Sequence, residues 1–106
     1  MTRTELGRVY LYQRQPLEAK RQLESASQLL ESNQAQADPM YLASTQFLLA
    51  RALWDGHSDR ERALDLAQQA RASMLKAGRA KSKTFRELDA WLSARLKMQA
   101  SMQRSL

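Results

Sequence analysis

The chain has 106 residues, with three glycines, two prolines and no cysteine. That is the length of a single domain and a composition poor in turn formers, and it excludes disulfides and thiolate metal sites. The net charge is +6, and its excess is C-terminal: residues 1–78 hold ten Lys/Arg against nine Asp/Glu, and residues 79–106 hold seven against two. The longest apolar runs, Val9 to Tyr12 and Phe47 to Ala50, are far shorter than the roughly 20 residues that cross a bilayer. A soluble protein is therefore expected, with no membrane contact. The missing cysteines and signal-peptide pattern point to the cytoplasm.

Ala, Leu, Gln, Arg, Lys and Glu dominate, which predicts an all-α protein. Thr2 and Glu5 have capping-box spacing and open a first helix over about 3–14. Pro16 suits the first position of a second helix over 16–32, whose stripe Ala19, Leu23, Ala26 and Leu30 recurs every three or four residues. Asn33 to Asp38 reads as a connection, and Asp38-Pro39 as a cap followed by a helix start. The third helix, about 39–55, carries apolar residues around much of its cylinder, as an element covered on several sides requires. Asp55-Gly56 reads as its stop, with Gly56 expected in the left-handed conformation. Ser58 with Glu61 predicts a second capping box for a helix over 59–78, which buries Ala63, Leu66, Ala67, Ala70 and Met74 and ends at Gly78. Thr84 with Glu87 predicts the start of a fifth helix, about 82–97. Its stripe Phe85, Leu88, Trp91, Leu92 and Leu96 is one-sided, as for a terminal capping helix. The tail 99–106 is expected to fray.

Two stretches repeat one apolar pattern about 43 positions apart. Leu6, Gly7, Tyr10, Ala19, Leu23 and Ala26 are answered by Leu49, Ala50, Leu53, Ala63, Ala67 and Ala70. Leu49 to Ala63 is one residue longer than Leu6 to Ala19, which places an insertion in the turn around His57. Small residues at such sites let antiparallel helices approach closely. These residues resemble the tetratricopeptide repeat, a helix–turn–helix unit of about 34 residues. The first copy follows its Leu-Gly, Tyr, Ala and Ala spacing, while Arg3 and Glu31 stand where the pattern has Trp and Pro. The stretches 50–55, 62–67 and 87–92 also look like the last repeats of large bacterial signalling proteins, including serine/threonine kinases.

The resemblance implies an α-solenoid of about five antiparallel helices over residues 1–98: hairpins 3–32 and 39–78, then a capping helix 82–97. The likeness to signalling proteins implies a fragment or stand-alone remnant of a longer array, and two alternatives stay open beside it: two repeats plus a cap suffice, or the exposed face of helix 1 pairs with a second copy. In that family the first helix of each pair lines a concave groove, which here gives Thr4, Arg8, Leu11 and Tyr12, then Phe47, Arg51, Trp54 and Asp55. Arg8 and Arg51 fall at equivalent sites, so the expected function is non-catalytic: a protein-interaction scaffold that takes a peptide or helix, with acidic groups meeting the two guanidiniums. The alternative expectation is a small basic adaptor that contacts nucleic acid or another polyanion through Arg79, Lys81, Lys83 and Arg86, with Arg95 and Lys97 further along; no recognisable nucleic-acid module accompanies them. Asp55, His57 and Asp59 flank one turn, where capping explains them without a metal. No phosphate loop, helix-borne His pair or nucleophile elbow is present, so neither an enzyme nor a cofactor is expected.

Overall fold

Five α-helices follow one another along the chain: α1 (Arg3–Tyr12), α2 (Pro16–Ser32), α3 (Pro39–Asp55), α4 (Arg60–Lys76) and α5 (Lys83–Arg104). The computed structural model describes residues 1–32 and 38–104, with no strand among them. The fold is all-α, as composition and periodicity predict. Most of the expected 33–38 connection lies outside the described residues.

Two helix starts follow the sequence directly. The Thr2 hydroxyl accepts from the Glu5 N–H at 3.1 Å, and the Asp38 carboxylate accepts from the Met40 N–H at 2.9 Å. Two others shift. Asp59, not Ser58, caps α4, accepting from the Arg62 N–H at 3.0 Å. A carboxylate is the better acceptor at the positive end of a helix, and it stands directly before the first helical residue. Ser82, not Thr84, caps α5: its Oγ accepts from the Phe85 N–H at 3.1 Å while donating to the Arg79 carbonyl at 2.8 Å. Ser82 thus closes the preceding turn and opens the helix, and Thr84 falls inside the first helical turn.

Three helices end in the same way. After α1 the Gln15 N–H reaches the Tyr10 carbonyl and the Arg14 N–H the Leu11 carbonyl; after α3 the pairs are Ser58 to Leu53 and His57 to Trp54; after α4 they are Arg79 to Met74 and Gly78 to Leu75. Each is a Schellman motif with its left-handed residue at the centre. Those residues are Arg14 (φ 59°), His57 (φ 53°) and Gly78 (φ 72°). Gly56 therefore does not take the expected left-handed role. It stays right-handed at φ −84°, because α3 keeps one more helical residue and His57 becomes the reversal point. What its missing side chain permits is proximity: a Cβ on Gly56 would lie 3.1 Å from the Ala52 carbonyl and 3.4 Å from Pro16 Cβ. The turn 56–59 is one residue longer than the turn 13–15; since His57 and Ser58 match Arg14 and Gln15 in the two Schellman motifs, the inserted residue is Asp59, just after the expected position at His57.

The core is a seam of small residues between large ones. Ala19, Ala50, Ala52, Ala63, Ala67 and Ala70 are fully buried, and among them lie Leu23, Leu49, Leu53, Met74 and Leu88. Each helix packs on the next, and α1 also packs on α3. The closest approach is at Gly7, where an added Cβ would fall 2.5 Å from Leu23 Cγ. The two hairpins stack with like ends together. Thr4 and Thr45 share a buried hydroxyl contact of 3.0 Å, the Tyr41 hydroxyl donates to Thr2 Oγ1 at 3.3 Å, and at the other end Gly56 meets Pro16. α5 docks through Phe85, Leu88 and Leu92. Its expected stripe stops there, and Leu96 is exposed, because α5 runs past the start of α4 at the level where Arg60 and Arg95 flank the same Trp54 ring. The expected frayed tail is helical as far as Arg104. Residues 98–104 contain neither Gly nor Pro, and Gln, Ala, Met and Arg propagate a helix already started. Residues 105–106 lie outside the described residues.

A candidate peptide groove lined by arginines

Like-end stacking puts α1, α3 and α5 along one side and α2 and α4 along the other. Between the first three lies a groove of about 870 Å³. Arg8, Leu11 and Tyr12 line it from α1, Phe47 and Arg51 from α3, and Lys83, Trp91 and Arg95 from α5; Arg14 and Asp55 stand at its turn end. Six of the eight expected groove residues, Asp55 included, are thus brought to one cavity. Thr4 is not among them: it is buried against Thr45. Trp54 is also absent from this lining. It is 6% exposed, and its ring meets that of Trp91 edge to face at 5.9 Å. It walls instead a second cavity, of about 490 Å³, at the turn end of the hairpins, shared with Arg14, His57, Arg60 and Arg95.

The side chains that α5 adds were not expected in the groove. The one-sided stripe of α5 predicts a cap, yet α5 repeats the motif of α3. On α3, Arg51 lies over the Phe47 ring at 5.8 Å; on α5, Arg95 lies over the Trp91 ring at 4.6 Å. Both pairs have i,i+4 spacing, which places them on one helix face. The signal was present in the sequence: Arg8, Arg51 and Arg95 are separated by 43 and then 44 positions, so a third application of the repeat finds the third arginine. Of the other expected basic set, Lys83 lines the groove, whereas Arg79, Lys81 and Arg86 are exposed and line neither cavity.

Charge pairing separates the two sides of the molecule. Away from the groove, Arg21 meets Glu18 at 3.9 Å, Arg71 meets Asp89 at 2.8 Å, and Arg62 is bonded to Glu24. Arg8, Arg14, Arg51, Arg60 and Arg95, which line the cavities, meet no carboxylate in a salt bridge among the described residues. Within the groove Lys83 and Glu87 face each other at 3.9 Å, which leaves Asp55 as the lining carboxylate without a salt bridge among the described residues. Three of these guanidiniums, those of Arg51, Arg60 and Arg95, lie over rings. Arg60 lies 4.5 Å from the centre of Trp54, and Arg95 lies near both indoles. Stacking leaves the guanidinium edges available for planar acceptors.

Arg95 sits in a desolvating environment. Burial pushes its guanidinium below its ordinary value; the Asp55 carboxylate works against that shift, and the neighbouring Arg51 adds to it. Its Nε is buried without a hydrogen-bond partner, as is that of Arg60, and one terminal nitrogen of Arg95 donates to the Trp91 carbonyl at 3.3 Å. At neutral pH the group is a cation whose environment stabilises it less than water does. An anion in the groove offsets that deficit.

The turn that carries Asp55, His57 and Asp59 has structural work. Asp59 caps α4 and His57 is the reversal residue of the α3 turn. No helix among the described residues is long and apolar enough to cross a membrane. No protein-family model matches the chain, and neither a curated protein nor a solved structure does.

Proposed function

We propose that this chain is a non-catalytic interaction scaffold of tetratricopeptide type, whose groove between α1, α3 and α5 takes an acidic peptide segment of another protein. The observation that carries this reading is the row Arg8, Arg51 and Arg95, on three successive groove helices, none of which forms a salt bridge with a carboxylate among the described residues. Arginines that are not needed for intramolecular pairing, and that share a concavity with Leu11, Tyr12, Phe47 and Trp91, match a ligand that alternates carboxylates with apolar side chains. Identical Schellman turns and the repeated Gly/Ala seam support the family assignment. A place in a cytoplasmic bacterial signalling protein is part of the same proposal and rests on the resemblance alone.

The test is a titration of labelled acidic, neutral and basic peptides against the wild type and the double variant Arg8→Glu/Arg51→Glu. Tight binding of the acidic peptide alone, weakened at least roughly tenfold by the double variant, is expected from the loss of two charge-assisted contacts. Equal affinity for the two proteins would remove the reading.

A further inference from the structure

We infer that the cavity at the turn end of the hairpins is a seat for a phosphate group, so that the segment taken by the groove is a phosphorylated peptide rather than a merely acidic one. The inference rests on the groove reading and adds the ligand's chemical class. Arg14, Arg60 and Arg95 line this cavity with His57, and Asp55 is the one acid among them. The cations come from different elements, the α1 turn, the start of α4 and the middle of α5, so no local helix pattern explains their meeting.

Three features favour phosphate over carboxylate. First, the fixed charge of the lining is three arginines against one carboxylate, a surplus of two that a phosphate monoester, carrying about −1.5 to −2 at neutral pH, offsets and a single carboxylate does not. Second, the arginines are aimed by packing. Arg60 and Arg95 lie 4.5 and 5.9 Å from the centre of one indole, Trp54, and their buried Nε atoms leave the terminal nitrogens as the groups that can meet a ligand, one nitrogen of Arg95 already donating to the Trp91 carbonyl. Two planar forks approaching from different elements suit a tetrahedral anion with three acceptor oxygens better than a planar one with two. Third, the cavity is continuous with the groove: Leu11, Arg14, Asp55 and Arg95 line both. A peptide lying along Arg8 and Arg51 therefore brings a modified side chain to the turn end.

The experiment compares three versions of one acidic peptide, carrying serine, glutamate or phosphoserine at a single position, with inorganic phosphate as competitor. They are titrated against the wild type, Arg60→Gln and Arg14→Gly. Arg14 is exposed and left-handed, so glycine removes its charge and relieves its backbone without endangering the fold. For the wild type the phosphoserine form is expected to bind roughly tenfold or more tightly than either other form, and that ratio to fall to about two or less in both variants. Inorganic phosphate is expected to compete with the phosphopeptide only at far higher concentration, because it makes none of the groove contacts. Equal affinities of the three peptides would overturn the phosphate seat and leave the acidic groove intact. A preference that survives both variants would overturn it too, by placing phosphate recognition elsewhere. If none of the peptides binds, the groove reading falls along with it.

Discussion

Gly7→Ala tests the seam on which the hairpin architecture rests. The new Cβ would lie 2.5, 2.7 and 3.1 Å from the Cγ, Cδ2 and Cδ1 atoms of Leu23, against an ordinary carbon separation of about 3.5–4 Å. Leu23 is fully buried, so α1 must lift from α2 or Leu23 must leave its rotamer. Overpacking of this kind costs about 1–3 kcal/mol, and the better helix propensity of alanine returns roughly 1 kcal/mol. Gly7→Ala is thus expected to be destabilised by about 1 kcal/mol. Leu23→Ala, which empties a buried site, is expected to cost about 2–5 kcal/mol. The equivalent positions of the second hairpin are Ala50 and Ala67, both fully buried, so nature has already built the seam with two medium residues in place of small and large. In the double variant Gly7→Ala/Leu23→Ala the clash is gone and part of the cavity is filled. The two changes are therefore expected to be coupled by at least about 1 kcal/mol in the stabilising direction. Chemical denaturation of the four proteins measures this. A Gly7→Ala variant more stable than the wild type, with coupling near zero, would refute the close approach.

Four further outcomes follow from particular contacts. His57→Gly is expected to raise stability by about 1 kcal/mol, read as a higher midpoint of thermal unfolding, because His57 sits at φ 53° and glycine carries no left-handed penalty. Asp59→Ala is expected to cost about 1 kcal/mol and Ser58→Ala less than about 0.5 kcal/mol, since Asp59 bonds the Arg62 N–H; denaturant midpoints that reverse this order would return the cap to Ser58. Trp54→Ala is expected to lose about 3–5 kcal/mol of stability, seen in near-ultraviolet circular dichroism and unfolding, because the ring is 6% exposed between Trp91, Arg60 and Arg95. Acidic-peptide affinity is expected to fall steadily with added salt, since the groove arginines are in contact with solvent; a salt-independent affinity would mean that apolar contacts alone hold the ligand.

Helix content, the breaks near residues 14, 56 and 78, and the seam of Gly7, Ala19, Ala50, Ala63, Ala67 and Ala70 were legible from the chain alone. Each depends on local propensity or on 3.6-residue periodicity, and both act through neighbours a few positions apart. Cap and reversal residues were legible only to within a position or two. Ser58 and Asp59 are both competent caps, and Gly56 and His57 both adjoin the stop; where α3 releases its last carbonyl decides between them, and the packing of Leu53 and Trp54 into the core sets that point. The groove divides in the same way. Arg8, Leu11, Tyr12, Phe47 and Arg51 share a face because helix geometry and the repeat put them there. That Trp54 turns into the core, that Arg95 and Trp91 complete the row, and that Arg60 and Arg95 meet at one indole are decided by how α5 docks beside α3 and α4. Such docking is a matter of side-chain volume and fit between elements far apart in sequence, which periodicity along one helix does not encode.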